Sequence, residues 1–282
     1  MRCVALAFRS RRRRAAPALA AGALAAVALS ATAAPRTATA EIRCTATSIC
    51  TTFDGRLSPK ALPRHNPAPA RLTLRGGVKV ASASRTALPQ LNRITMAINR
   101  HGALRLAGLP ACRGSQIRDA PSSKALASCK DALVGTGSFG ARLDLPDQPT
   151  LLFDGKALLF NARVRGKPGL LAHVFAREPT NLAIVVPFVI HRPKRARGTY
   201  GTFLRSPSLP RLLGDEIYAT SFRFDIGRTY RVRGKRRSYL NAACPAPPGF
   251  PVTTFSFARA TYDFKGGRRA HETLTRVCRV RR

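Results

Sequence analysis

The sequence predicts an all-β protein, an antiparallel β-sandwich or open β-barrel with one short helix near residues 122–133. Three observations carry this reading. From about Ala70 the apolar residues recur with period two, in short runs of Val, Ile, Leu, Phe, Thr and Tyr. Gly, Pro, Asn and Asp turn signals separate these runs. Six cysteines lie after an export-like N-terminus, an even number of the kind that forms disulfides outside the cytoplasm.

Residues 1–40 read as a secretory signal peptide. Arg2, Arg9 and Arg11 to Arg14 precede an apolar run, Ala15 to Leu29, and A-x-A cleavage sites follow at Ala33 or Ala40. The run is shorter and richer in alanine than the roughly 20 strongly apolar residues of a membrane span, so no transmembrane segment is expected after cleavage. Ser10, Arg11 and Arg12 lack the apolar pair of a twin-arginine signal. Neither Cys3 nor Cys44 follows the apolar run as a lipid-anchor cysteine would. The expected location is secreted or extracytoplasmic, in association with the cell envelope. Residues 41–69 read as an irregular Pro- and Ala-rich N-terminal arm, and residues 70–282 as a single antiparallel β domain large enough to bury one core.

Along that domain, hairpin turns are expected at Gly76-Gly77, Arg100-His101-Gly102, Asp154-Gly155 and Lys265-Gly266-Gly267. In "IYATSFRFDI" the residues Tyr218, Phe222, Phe224 and Ile226 share one face, with Arg223 and Asp225 on the other. In "TTFSFARATYDF" the apolar set changes parity between Phe257 and Tyr262, which requires a bulge or bend near Ala258. "LAIVVPFVI" is apolar on both faces. It is either a central core strand or the wall of a lipid-sized cavity, and Pro187 sits awkwardly in the middle of a ladder. The helix is expected in "PSSKALASCKDALVG", capped by Ser122 or Ser123, with Leu126, Cys129 and Leu133 on one stripe.

The cysteines after the signal are Cys44, Cys50, Cys112, Cys129, Cys244 and Cys278. Six allow 15 connectivities, and the simplest joins sequence neighbours: 44 with 50, 112 with 129, 244 with 278. In "NAACPAPPGFP" Cys244 is a candidate nucleophile, metal ligand or half-cystine. A bridge to Cys278 would contribute about 3 to 4 kcal/mol on the chain-entropy model, and the absence of C-x-x-C spacing speaks against a metal site.

Other chemistry is poorly represented. "GTGSFG" has the glycine spacing of a dinucleotide fingerprint at Gly135, Gly137 and Gly140, but alternation in "ARLDLPD" predicts a second strand where the fingerprint needs a helix. Ser138 lacks the first glycine of a nucleophile elbow. His65, His101, His173, His191 and His271 show no acid–base spacing, and His271 and Glu272 are adjacent on a strand, hence on opposite faces. "TLTRVCRV" resembles the nucleophile strand of sortase-like transpeptidases, with one residue too many before Cys278 and no arginine strand after it. Thirteen acids do not favour a paired-carboxylate or calcium site. No catalytic residue, metal site or cofactor is expected, and the protein reads as non-enzymatic.

Charge is the strongest compositional signal. The chain carries 49 Lys+Arg against 13 Asp+Glu, a formal net charge of +36. Residues 1–40 hold seven arginines and no acids, leaving +29 from Glu41 onward. Such a surface attracts polyanions: outside the cell, anionic envelope polymers or an anionic lipid surface, with no specific nucleic acid. The candidate contacts are Arg228, Arg231, Arg233, Arg236 and Arg237, interleaved with Tyr230 and Tyr239, together with Arg268 and Arg269. A hairpin edge defended by charge is the competing structural explanation, and the arginine excess also fits a GC-rich genome. A carrier or sensor of an apolar ligand is the second functional class, an enzyme the third.

At "LPACRG", "ASCKDALVGTG", "YGTFL" and "YLNAACPAPPGF" the chain resembles a group of exported, disulfide-bearing all-β proteins of high-GC Gram-positive bacteria, over most of residues 90–282. The resemblance implies compartment and fold and supplies no site.

Overall fold

The computed structural model describes residues 42–44, 49–80, 89–193, 198–209 and 216–281, all within one unit, Thr39–Arg282. The signal peptide expected over residues 1–40 lies outside them. The strands are β1 (Ile42–Cys44), β2 (Ile49–Ser58), β3 (Ala61–Leu62), β4 (Ala68–Pro69), β5 (Arg71–Val80), β6 (Leu91–Asn99) and β7 (Gly102–Leu104). Two helices follow, α1 (Gly114–Ile117) and α2 (Ser122–Cys129). Then come β8 (Leu133–Leu143), β9 (Leu151–Val164), β10 (Lys167–Ala176), β11 (Leu182–His191), β12 (Tyr200–Arg205) and β13 (Ile217–Ile226). The chain ends with β14 (Thr229–Val232), β15 (Lys235–Ser238), β16 (Leu240–Ala242), β17 (Val252–Phe264) and β18 (Arg269–Val280). Among the described residues no helix is long and apolar enough to cross a membrane.

The protein is all-β, and its main sheet curls into a nearly closed barrel. Thirteen strands are joined in the order β1-β2-β5-β13-β8-β9-β10-β11-β12-β6-β17-β18-β3. From β2 to β18 every neighbouring pair is antiparallel. Eleven strands joined by antiparallel steps must leave the first and the last pointing the same way. The seam contacts obey this parity. Thr51 Oγ1 donates to Glu272 Oε1 at 2.7 Å, and four residues further along both strands Arg276 Nε donates to the Gly55 carbonyl, also at 2.7 Å. Arg276 also pairs with Asp54, and the Tyr262 hydroxyl donates to the Thr52 carbonyl at 3.2 Å. Side chains close the seam between β18 and β2.

The barrel has two ends. At one, Ser58 meets Arg71 and Leu72 meets Ile226. At the other, Ile49 meets Val80, Leu143 meets Leu151 and Asp263 meets Arg269. The first is the capped end: β16 lies between β4 and β7 as a separate three-stranded sheet, with its own Leu240 and Ala242 and the flanking Tyr239 and Cys244 buried. The second is the loop end, where Leu209 turns inward and its N–H donates to the Asn92 carbonyl at 2.7 Å. An eleven-stranded wall encloses more room than the eight strands that side chains fill comfortably. Phe53, Phe188, Tyr239, Tyr262 and Phe264, with the cap, fill it here.

A second apolar cluster lies outside the wall. Ile117, Ala120 and Ala125 of the helical segment pack on Leu158, Phe160 and Leu171 of β9 and β10. The expected helix is thus present, but it starts at Ser122 with Pro121 as N-cap and no side-chain cap bond. A 3₁₀ turn, Lys130–Ala132, follows, and Leu133, expected on the helical stripe, is instead extended and opens β8. The three bridges are Cys44–Cys50, Cys112–Cys129 and Cys244–Cys278.

Several sequence expectations change. The 41–69 arm is not irregular, because Ile49–Ser58 is a ten-residue wall strand burying Ile49, Thr51, Phe53 and Leu57. Gly76-Gly77 and Asp154-Gly155 are not turns but strand interiors: β5 and the 14-residue β9 run straight through them. At Gly155 a Cβ would come within 2.9 Å of the Phe175 carbonyl oxygen, and at Gly76 it would overlap the Phe222 ring. These glycines make room for close approach inside a tightly curved wall. Tyr218 does not share the face of Phe222 and Phe224, because the register shifts between Ala219 and Ser221. It pairs instead with Arg142, whose guanidinium lies 5.4 Å from the ring centroid. The bulge expected near Ala258 is there, between Ser256 and Ala258. Pro187 sits in an unbroken ladder with β10, whereas β12 pairs with β11 only at Val189–His191. Among the described residues Pro187 therefore has a ladder neighbour on one side only, which suits its missing N–H.

Candidate functional site

The capped end gathers arginines by two routes. The first is the β14–β15 hairpin, paired Thr229 with Ser238, Tyr230 with Arg237, Arg231 with Arg236 and Val232 with Lys235. Arg233 and Gly234 both have positive φ, 48° and 74°, the backbone of a two-residue turn whose twist matches its strands. Alternation assigns Tyr230 and Val232 to one face and Arg231 and Arg236 to the other. The first face is anchored. The Tyr230 hydroxyl donates toward the Arg105 and Ala107 carbonyl oxygens, at 3.0 and 3.2 Å, and Val232 packs where a Cβ on Gly108 would overlap it. The second face is free, with Arg231 and Arg236 exposed, and Arg233 in the turn and Lys235 opposite Val232 are exposed as well. None of the ion pairs among the described residues involves this hairpin.

The second route is a groove of about 640 Å³ at the hairpin's base, lined by Arg56 of β2, Arg71 and Thr73 of β5, Thr136 of β8, and Asp225 with Arg228 beyond β13. Residue 227 is glycine where the stem of Arg71 crosses, since a Cβ there would lie 3.1 Å from the Arg71 Cβ. Asp225 is the one acid in the lining. It accepts from Thr73 Oγ1 at 2.5 Å and lies 3.4 Å from Arg223 Nε. Arg228 is partly structural: its Nη1 donates to the Lys130 and Leu133 carbonyls at 2.9 and 3.0 Å, tying the hairpin base to the end of the helical segment.

Burial pushes the Tyr230 phenol above its ordinary range, and the nearby positive charges of Arg237 and Arg105 pull it back. Tyr239 is pushed up by complete burial, with Arg192 opposing. Both effects place further guanidinium groups around the hairpin root, and Arg192 itself donates to the Leu104 carbonyl.

The structure does not bring the seven sequence candidates together. Arg228, Arg231, Arg233, Arg236 and Arg237 belong to the capped end, whereas Arg268 and Arg269 belong to the loop end, beside the turn between β17 and β18. There Arg269 Nε pairs with Asp263 at 2.5 Å, on one wall of an open groove of about 510 Å³ that also includes Arg93 and Lys265. Sequence reasoning missed Arg56 and Arg71, which lie in separate strands. In a chain with arginine throughout, no local signal marks them.

The other candidates separate by burial. His173 is fully buried, its Nε2 2.8 Å from the Ala120 carbonyl oxygen, and burial lowers its pKa. His101, in the turn after β6, is lowered by burial and by Arg100 and His65. His271 is exposed and Glu272 buried, the opposite faces that alternation requires. Gly135, Gly137 and Gly140 all lie in one strand, β8, so the segment has no helix start to receive a pyrophosphate. A Cβ on Gly137 would overlap the Arg223 carbonyl oxygen. Among the described residues no cluster of three His, Cys, Asp or Glu side chains forms a metal site. Two interior voids among the described residues are apolar and hold about 50 Å³ each, one beside Leu240 and Tyr239, the other beside Leu209 and Phe222. Ligand pockets commonly run from about 300 to 1,000 Å³.

No protein-family model, curated protein or solved structure matches this chain.

Proposed function

We propose that this protein is an exported, envelope-associated binding protein that takes an anionic polymer on its capped end, without catalysing a reaction. The observation that supports the reading is the junction of two cationic features. A groove lined by Arg56, Arg71 and Arg228 opens at the base of a hairpin whose exposed Arg231, Arg233, Lys235 and Arg236 enter none of the ion pairs among the described residues. Guanidinium groups in fixed positions on a rigid wall match the spaced charges of a phosphate polymer, and such binding gains from counterion release. The three disulfides support an oxidising, extracytoplasmic setting. The small size of the two apolar voids beneath the cap and beside Leu209 favours surface binding over carriage of an apolar ligand.

The test is titration with inorganic polyphosphate across a series of salt concentrations. The expected result is affinity falling linearly on a log–log plot, with the slope reduced by about one for each contacting charge removed. The triple variant Arg231→Gln, Arg233→Gln, Arg236→Gln should flatten the slope, and the double variant Arg268→Gln, Arg269→Gln at the loop end should not. Equal slopes in wild type and triple variant would sink the assignment.

A further inference from the structure

The Cys244–Cys278 bridge anchors a loop that displays an aromatic ring to solvent. After Cys244 the chain runs Pro245-Ala246-Pro247-Pro248-Gly249-Phe250-Pro251 before entering β17. The Phe250 N–H donates to the Pro247 carbonyl at 3.1 Å and Gly249 has φ 84°, which together make a tight turn with proline at its second position and glycine at its third. Arg64 donates to the Ala246 and Pro247 carbonyls and, at 3.3 Å, to that of Phe250. The Val280 N–H donates to the Pro251 carbonyl at 2.7 Å. Prolines, bridge and arginine fix this loop, yet Phe250 remains 62% exposed. Val252 and Val277 extend the apolar surface, at 43% and 56% exposed, on one outer face of the β17–β18 pair.

A rigid corner that holds a phenylalanine in water leaves the favourable burial of its ring unrealised. Its setting indicates what recovers it. Arg279 lies directly opposite Val252, so the two side chains share that outer face. Lys60 adjoins Arg279, whose N–H donates to the Lys60 carbonyl at 2.8 Å, and Arg281 follows. All three cations are exposed. An apolar tip ringed by long cationic side chains matches the interface of an anionic bilayer, where the ring enters the acyl boundary and the cations meet headgroup phosphates. β17 starts, and β18 ends, at the capped end, the end that also carries the arginine hairpin.

We propose that Phe250, with Val252 and Val277, docks this protein on an anionic lipid surface. The proposal goes beyond polymer binding and rests on different residues, so the two can fail separately. The chain contains no tryptophan, so a single introduced indole reports its own position. The experiment compares Phe250→Trp with Leu152→Trp, a control at the loop end that is 68% exposed, on vesicles of phosphatidylcholine and phosphatidylglycerol. The expected result is a blue-shifted emission, quenched by acyl-chain bromine, for Phe250→Trp, and no change for Leu152→Trp. Phe250→Ser should weaken vesicle partition about tenfold or more and leave polyphosphate affinity unchanged. An unshifted Phe250→Trp on vesicles that bind the protein would mean attachment by charge alone, and vesicles that fail to bind it would be equally fatal. A wild-type dimer that Phe250→Ser turns into a monomer would show that a second copy of the chain covers the patch.

Discussion

The two ends of the barrel carry the same residue type to different effect. At the loop end, arginines meet carboxylates close by: Arg269 pairs with Asp263 at 2.5 Å and Arg142 with Asp144 at 2.6 Å. At the capped end the hairpin presents Arg231, Arg233 and Arg236 without such partners, on a β-ribbon fixed by Tyr230 and Val232. The difference shows why a count of arginines is a poor guide to a binding surface. With few acids in the chain, what matters is where each acid is placed, and a cation already paired offers little to a polymer. The capped end is also the better stapled. It has the three-stranded cap and the longest disulfide loop, whereas Cys44–Cys50 only joins strands that already pair.

The largest effect that could break this comparison is loss of a bridge. Cys244–Cys278 closes a sequence separation of 34 residues and Cys44–Cys50 one of 6. On the chain-entropy model the first contributes about 4 kcal/mol and the second about 2 kcal/mol. Replacing Cys244 and Cys278 together by Ala should therefore lower the denaturation midpoint well below that of the Cys44 and Cys50 double variant. Equal midpoints would mean that the cap holds without its staple.

A smaller change sharpens the account of the cap. The Tyr239 hydroxyl is buried beside an apolar void, with no hydrogen-bond partner. Removing an unsatisfied buried hydroxyl while keeping the ring relieves its desolvation cost, so Tyr239→Phe should stabilise the protein by about 1 kcal/mol in equilibrium unfolding. A destabilised variant would show that the hydroxyl is bonded in solution and that the cap is wetter than its apolar lining suggests.

How much of this was legible in the sequence depended on how local the signal was. Alternation announced the all-β class, since period two survives any choice of partner strand. The bridges followed sequence neighbours. The bulge near Ala258 was readable because aromatic residues change parity inside one segment. Gly76 and Asp154-Gly155 misled, because a glycine that makes room for a crossing strand looks, in isolation, like one that makes a turn. Strand β2 was hidden by polar and small residues, Thr51 and Gly55, whose seam partners Glu272 and Arg276 lie more than 200 residues away. The groove arginines share that difficulty, for Arg56, Arg71 and Arg228 meet only through pairings that the linear order does not show.

The side of the barrel under the helices provides the last and smallest test, through pH. His173 is fully buried between β10 and the helical segment, and desolvation lowers its pKa below the ordinary 6.5. The folded chain keeps this imidazole neutral at a pH where the unfolded chain already binds a proton. Its contribution is therefore intact above about pH 6.5 and is lost as pH falls through and below that value. His101, also lowered, adds in the same direction. Unfolding free energy followed from about pH 7.5 down to about pH 5.5 should fall in the wild type. In His173→Gln the fall should be shallower, whatever the absolute stability, leaving the part that His101 carries. The slope separates titration from packing, because a variant that merely packs badly is shifted at every pH by the same amount. A slope unchanged by the substitution would mean that His173 titrates alike in both states, and that water reaches it beneath the helices.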